Sequence, residues 1–189
     1  DAAFEPVLRD ILAELGGDPP DLYVMTHEHM DHIQGLPHAA AKLRLELPVD
    51  YAWLTASAEG DKYYERHPEA ETQRGLAVEA YEAIQAFLAA SPGDELPGVR
   101  SLMLNNNPRR TADCVAYLRR LARKKTTYVH REKSLRGAHP FKEARLDVWA
   151  PEEDTSVYYG RFQPMALGAA AAAAEGQPAL TDPKPPPGV

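Results

Sequence analysis

Residues 21–32 read DLYVMTHEHMDH, and this stretch decides the fold and the chemistry that the sequence predicts. The apolar run from Leu22 to Thr26 follows turn residues, which is typical of a short buried strand. Three histidines, an aspartate and a glutamate come directly after it. Binding and active sites of α/β proteins lie at the carboxyl ends of strands. The stretch therefore predicts a strand that ends in a polar site.

The residue types after the strand favour a metal site. Imidazole and carboxylate groups suit zinc, manganese or iron, and a set without thiolates argues against a closed structural zinc site. In an extended segment His27 and His29 point the same way and can reach one ion. Asp31 and His32 lie beyond the bend and can serve a second ion. We therefore expect two zinc ions, with manganese or iron as alternatives, that activate water for hydrolysis.

The pattern His-x-His-x-Asp-His after an apolar strand, followed by IQGL at 33–36, resembles the metallo-β-lactamase superfamily. The resemblance implies an α/β fold of the αβ/βα sandwich type. It also implies that His27 and His29 bind the first metal, and that His32 and Asp31 bind the second. Asp31 would be a catalytic residue as well, because in that family it helps to orient the attacking hydroxide.

The resemblance is incomplete in ways that bear on activity. Glu28 and Met30 match positions that vary in the family. Members also carry an aspartate after an earlier strand, a later bridging aspartate and a final histidine, none of which is clearly present. We expect all three to lie outside this chain, which resembles an internal segment with only part of the four-layer fold.

The other histidines are weaker candidates for metal ligands. His130 and His139 are the remaining candidates for a further ligand, but neither belongs to a recognisable motif, and an ordinary surface or strand histidine is the preferred interpretation. His38 and His67 are expected to be structural and to face solvent.

Alternating helices and strands predict an α/β domain over residues 1–160, whereas 161–189 is rich in alanine and proline and predicts an irregular tail. The spacing of apolar residues and the positions of glycine and proline predict the individual helices and strands. Four helices are predicted: Phe4–Leu15, one from Asp31 or Ile33 to Leu45, an apolar core helix from Leu76 to Leu88, and one through Thr111 to Leu121. The run NNNP at 105–108 is expected to cap the last of these. Residues 61–74 are predicted to be a solvated helix or loop. The predicted strands are Leu22–Thr26, Val49–Thr55, a brief one at Leu102–Leu104, Thr126–His130 and Leu146–Ala150.

The predicted function is metal-dependent hydrolysis of a small ester, amide or phosphodiester. The downstream order of elements, which ends in the strand near Leu146 and residues 151–154, resembles the branch that contains the hydrolase domain of ComEC-type DNA-uptake proteins, so a nuclease acting on DNA is one alternative. A catalytically incomplete binding module is the other. Acidic residues outnumber basic ones by 28 to 21, which gives no support for nucleic acid.

Three further features have ordinary structural interpretations. Cys114, the single cysteine, falls within an apolar helical pattern and is expected to be a buried thiol rather than a nucleophile. The basic run from Arg119 to Lys125 is expected to be a charged helix end, since cations complement the helix dipole there. No signal peptide and no membrane-spanning apolar stretch is visible in the sequence.

Overall fold

A three-stranded parallel sheet organises the α/β fold in the computed structural model, which describes residues 3–90, 98–99, 103 and 107–157. The strands are β1 (Leu22–Val24), β2 (Val49–Thr55) and β3 (Ala122–Val129), in the spatial order β1-β2-β3. The three corresponding predictions are confirmed, and β2 has the predicted bounds. β1 is an edge strand and is less buried than expected, since Val24 is 48% exposed.

Helices and helical turns connect the strands. In chain order they are α1 (Phe4–Glu14), α2 (Met30–Ile33), α3 (Gly35–His38), a π-helical turn (Ala39–Leu43), a 3-10 turn (Ala56–Glu59), α4 (Asp61–Arg66), α5 (Pro68–Ala90), α6 (Pro108–Leu118) and a 3-10 turn (Thr155–Val157). The prediction of one continuous helix up to Leu45 is wrong, because the chain breaks at Gln34 between α2 and α3. Pro37 has no N–H to donate to the carbonyl of Ile33, so an unbroken helix would lack that hydrogen bond.

One face of the sheet packs against α2 and α6. Val49, Ala52 and Leu54 of β2 are almost completely buried there. They form one apolar cluster with residues of the loop after β1, of α2, of α6 and of the turn that follows α6: Met25, Met30, Ile33, Cys114, Val115, Leu118 and Leu121. The side chain of Asn107 accepts hydrogen bonds from the backbone N–H groups of Arg109 and Arg110. This confirms the predicted cap of α6, which sets where the helix begins.

The opposite face of the sheet is covered by irregular chain. Trp53 is buried against Leu135 and Ala138, and its indole Nε1 donates a hydrogen bond of 2.8 Å to the carbonyl of Ala138. The predicted strand Leu146–Ala150 is wrong, because none of the strands in the described part of the chain includes these residues. Leu146 and Val148 pack against the Trp53 cluster, so side-chain burial accounts for the apolar pattern that suggested a strand.

The basic run 119–125 does not end a helix. α6 ends at Leu118, Arg119 and Arg120 form a turn, and the rest of the run belongs to the start of β3. Lys124 forms an ion pair of 2.5 Å with Asp50 on the neighbouring strand β2. The cation therefore pairs across the sheet instead of interacting with a helix dipole.

The apolar stripe of α5 is not part of the core that the structure describes. α5 extends over 23 residues and includes the second half of the segment 61–74 predicted as solvated, but its single buried residue is Ala70. Phe87, predicted to be core, is 51% exposed. None of the described helices is long and apolar enough to cross a membrane. The predicted strand Leu102–Leu104 falls largely outside the described residues, and the predicted tail 161–189 falls wholly outside them.

Gly60 lies where the chain turns from the 3-10 turn into α4. Its φ is 78°, in the region that glycine enters without strain. A Cβ at this position would overlap the guanidinium of Arg119, which crosses the turn and donates a hydrogen bond to the carbonyl of Ala58. The absence of a side chain at Gly60 therefore lets the end of α6 hold the turn after β2.

Tyr63 on α4 joins two distant parts of the chain, although the sequence placed it in a solvated segment. Its side chain is fully buried. The hydroxyl donates to the carbonyl of Glu153 at 2.9 Å and accepts from the backbone N–H of Thr155 at 2.9 Å. The Thr155 Oγ1 lies 2.8 Å from the same hydroxyl. One side chain thus fixes residues 153–155 against α4.

We expect Tyr63→Phe to lower the free energy of unfolding by about 1–3 kcal/mol, because the backbone N–H of Thr155 and the carbonyl of Glu153 would both lose a partner in a half-buried setting. Urea unfolding followed by circular dichroism measures the change. Tyr51→Phe is the matched control, since the Tyr51 hydroxyl has no hydrogen-bond partner among the described residues. Equal stability of the two variants would contradict the bridging role of Tyr63.

Cys114 is a buried free thiol, which confirms the sequence-based interpretation. Burial raises the pKa of the Cys114 thiol, Asp113 adds to the increase, and Arg110 opposes it. We therefore expect a thiol reagent to label the native protein on the order of a hundredfold more slowly than the urea-unfolded chain, because reaction requires local opening and a thiolate. The chain has one cysteine, so the labelling signal is unambiguous. Similar rates in both states would contradict this burial.

Candidate metal-binding loop

The loop after β1 is anchored to the core by its apolar side chains. β1 and β2 pair in parallel from Leu22↔Tyr51 to Val24↔Trp53, and the N–H of Met25 continues the ladder with a 2.8 Å hydrogen bond to the carbonyl of Trp53. Met25 and Met30 are buried at the two ends of the polar cluster. The loop therefore leaves the carboxyl edge of the sheet in a fixed direction, as the sequence predicts.

The bend in the loop lies at His29. Its backbone is extended, with φ −73° and ψ 139°, and the helix α2 begins at the next residue. The carbonyl of His29 accepts hydrogen bonds from the N–H groups of His32 and Ile33, at 3.0 and 3.1 Å. His27 and His29 thus precede the bend, whereas Asp31 and His32 lie on the first turn of α2, in agreement with the sequence-based expectation.

The three imidazoles of the loop are in contact with one another. The ring centroids of His27 and His29 lie 4.8 Å apart in an edge-to-face arrangement, and those of His27 and His32 lie 4.1 Å apart. Nε2 of His32 is 3.5 Å from Oδ2 of Asp31. All four predicted ligands are therefore brought together, but as one cluster around His27 and not as two separate pairs.

The surroundings of His27 favour its neutral form. Partial burial lowers the pKa of the His27 imidazole, the neighbouring rings of His32 and His29 lower it further, and Asp31 opposes them. Nδ1 of His27 lies 2.9 Å from Oγ1 of Thr26. If Nδ1 carries the proton in this contact, the lone pair is on Nε2, and neutral imidazole is the form that binds metals.

Glu28 anchors the loop to β2, a role that sequence reasoning missed. Its Oε1 accepts a hydrogen bond of 2.8 Å from Thr55 Oγ1 and one of 2.6 Å from Ser57 Oγ. Thr55 is the last residue of β2, and Ser57 lies in the turn that follows. The alternation of side chains along an extended segment places Glu28 opposite its two neighbours, which is the available sequence signal for its inward orientation.

The remaining histidines lie outside this cluster. Nε2 of His130 is 3.8 Å from one carboxylate oxygen of Glu153, and Nε2 of His67 is 3.8 Å from the other. His139 contacts the Trp53 ring at 5.9 Å on the far face of the sheet. The expectation that His38 and His67 face solvent is wrong, because both are partly buried, and the His67 ring packs 4.6 Å from that of Tyr63.

The donors of the loop fit a metal ion in chemical type and in proximity. His29, Asp31 and His32 are exposed, so their side chains can rotate without disturbing the core. As placed, however, no three imidazole, thiolate or carboxylate groups in the described ranges are arranged around one ion. The loop therefore provides suitable donors that are not preorganised around a single point.

Comparisons with known proteins do not assign the chain to a family. No family model matches it, and neither a curated protein nor a solved structure matches it.

The contact of His130 makes a specific prediction about its tautomer. Nδ1 lies 2.8 Å from the carbonyl oxygen of Arg131, and a carbonyl only accepts hydrogen bonds. We therefore expect the neutral ring to carry its proton on Nδ1. The lone pair is then on Nε2, the nitrogen that faces Glu153. Long-range ¹H–¹⁵N NMR distinguishes the two tautomers of the neutral ring. The Nε2–H pattern for His130 would show that the carbonyl contact is absent in solution.

Proposed function

We propose that this chain carries the metal-binding loop of a metal-dependent hydrolase of the metallo-β-lactamase type. The observation that carries the proposal is the contact of His27 with both His29 and His32, at ring-centroid distances of 4.8 and 4.1 Å, beside Asp31. This cluster lies at the carboxyl edge of a parallel sheet, where α/β enzymes hold their catalytic groups.

In the proposed site, His27 and His29 would hold one zinc ion, and His32 with Asp31 would hold a second after their exposed side chains rotate. Zinc supplies acidity to water and polarises a carbonyl or phosphoryl oxygen. Asp31 has two carboxylate oxygens, so it can also accept a hydrogen bond from the attacking water and orient it. The exposure of His29, Asp31 and His32 leaves the site accessible to a substrate from solvent.

The parallel sheet with α2 and α6 on one face is compatible with part of an αβ/βα sandwich. The apolar residues of α5 that remain partly exposed, including Phe87, are what a fold with further layers would cover. Our proposal includes membership of the metallo-β-lactamase superfamily. This arrangement and the His-x-His-x-Asp-His pattern both support it. Ligands from outside the described residues would complete the metal sites.

Metal analysis of the purified protein tests the proposal. We expect the wild-type chain to bind zinc and the double variant His29→Ala/His32→Ala to lose it, because each proposed ion would lose a ligand. The matched control is His38→Ala/His139→Ala, which removes two imidazoles outside the cluster. Circular dichroism checks that both variants remain folded.

The two double variants separate specific binding from general affinity of histidines for zinc. Zinc content that is unchanged in His29→Ala/His32→Ala, or lowered equally in both variants, would refute the proposed site. For the zinc-loaded protein, hydrolysis of esters, lactams and phosphodiesters that is abolished by a chelator identifies the substrate class. Cleavage of single-stranded DNA alone would favour the nuclease alternative over a small substrate.

A further inference from the structure

Glu28 lies within the proposed ligand loop but contacts none of the proposed ligands. Its Oε1 accepts hydrogen bonds from Thr55 and Ser57, which lie 27 and 29 residues further along the chain. The two hydroxyls are 3.3 Å apart and belong to the end of β2 and the turn after it. All three side chains are partly or fully buried, so the contact is shielded from bulk water. We call this arrangement the Glu28 clamp.

The direction of Glu28 determines the direction of its neighbours. Successive side chains of an extended segment point to opposite sides. Because Glu28 points towards β2, this alternation puts His27 and His29 on the opposite side of the loop, and the extended backbone of His29 agrees with it. The contact between their rings, with centroids 4.8 Å apart, agrees with this geometry. The clamp thus selects the side of the loop on which the imidazoles meet.

The clamp is the polar complement to the apolar anchors of the loop. Met25 and Met30 are buried at its ends and fix where it begins and ends. Between them, the backbone of residues 26–29 has no ladder hydrogen bond to β2. Among the described residues, the hydrogen bonds of the Glu28 carboxylate connect this middle part to the end of β2 and the turn after it.

We propose that Glu28 is a positioning residue for the metal site: by binding Thr55 and Ser57 it holds His27 and His29 on one side of the loop. This inference rests on the proposed function, since it assumes that the two imidazoles bind metal. It adds a role for a residue type that the motif leaves open, and it connects the metal loop to the end of the next strand.

Two sets of variants separate the hydrogen bonds of the clamp from its charge. Thr55→Val/Ser57→Ala removes both donors and keeps the carboxylate, whereas Glu28→Gln keeps an accepting oxygen and removes the charge. Glu28→Ala removes both properties. If the clamp acts by positioning, the donor-free variant and Glu28→Ala must behave alike, and Glu28→Gln must behave like wild type.

The measurements are zinc affinity, by competition with a chromophoric chelator, and the visible absorption of the Co²⁺-substituted protein. We expect Glu28→Ala and Thr55→Val/Ser57→Ala to bind zinc about tenfold or more weakly, as is typical for loss of a group that orients metal ligands. Their Co²⁺ bands should shift, because the geometry around the ion changes. Glu28→Gln should keep the wild-type bands and an affinity within about threefold of wild type.

The outcomes distinguish this inference from the proposed function. If His29→Ala/His32→Ala loses zinc while Glu28→Ala and Thr55→Val/Ser57→Ala bind it normally, the positioning role is wrong and the metal site stands. If His29→Ala/His32→Ala keeps its zinc, the proposed function itself fails. A loss in Glu28→Gln equal to that in Glu28→Ala would show that charge matters and not the clamp. Should Glu28→Ala fail to fold, the single variants Thr55→Val and Ser57→Ala decide the question.

Discussion

The parallel pairing of β1 with β2 is the interaction on which the proposed site depends. It includes only the three residues of β1, continued by the hydrogen bond from Met25 to the carbonyl of Trp53. Because the strands are parallel, their carboxyl ends lie at the same edge, and the histidine loop leaves the sheet beside the end of β2. The polar contact between Glu28 and the end of β2 requires this alignment, since the partners are far apart in sequence.

The loop combines buried anchors with an exposed chemical face. Met25, Glu28 and Met30 point into the protein, where apolar packing and two short hydrogen bonds hold them. The imidazoles of His27, His29 and His32 lie close together on the other side of the loop. Burial and the two neighbouring rings lower the pKa of the His27 imidazole, and this favours its neutral form. The same geometry that crowds the rings places three imidazoles beside one another, as the proposed metal site requires.

Local patterns in the sequence predict the strands and the placement of the cluster well, because apolar runs and turn residues act over short distances. They do not reveal contacts between residues that are distant along the chain. Glu28 matches a variable position of the motif, and its partners Thr55 and Ser57 lie at the end of the next strand and in the turn after it, beyond another helix. Tyr63 appears solvated because its burial depends on residues 153–155. In each case the deciding hydrogen bond is tertiary.

The strand predicted at Leu146–Ala150 shows a different limit. Leu146 and Val148 alternate with exposed Asp147 and Trp149, which is the pattern of a half-buried strand. Periodicity reports which side chains are buried, but a strand also needs a neighbouring backbone with which to pair. This segment packs on the Trp53 cluster without such a partner among the described strands.

The crossing of Arg119 over Gly60 has an evolutionary consequence. Any side chain at position 60 would meet the guanidinium of Arg119 and would also occupy an unfavourable backbone conformation. Displacing Arg119 would leave the carbonyl of Ala58 without its donor, in the same turn that contains Ser57. Positions 60 and 119 are therefore expected to diverge together: a homologue that replaces the glycine should also have a shorter residue in place of the arginine.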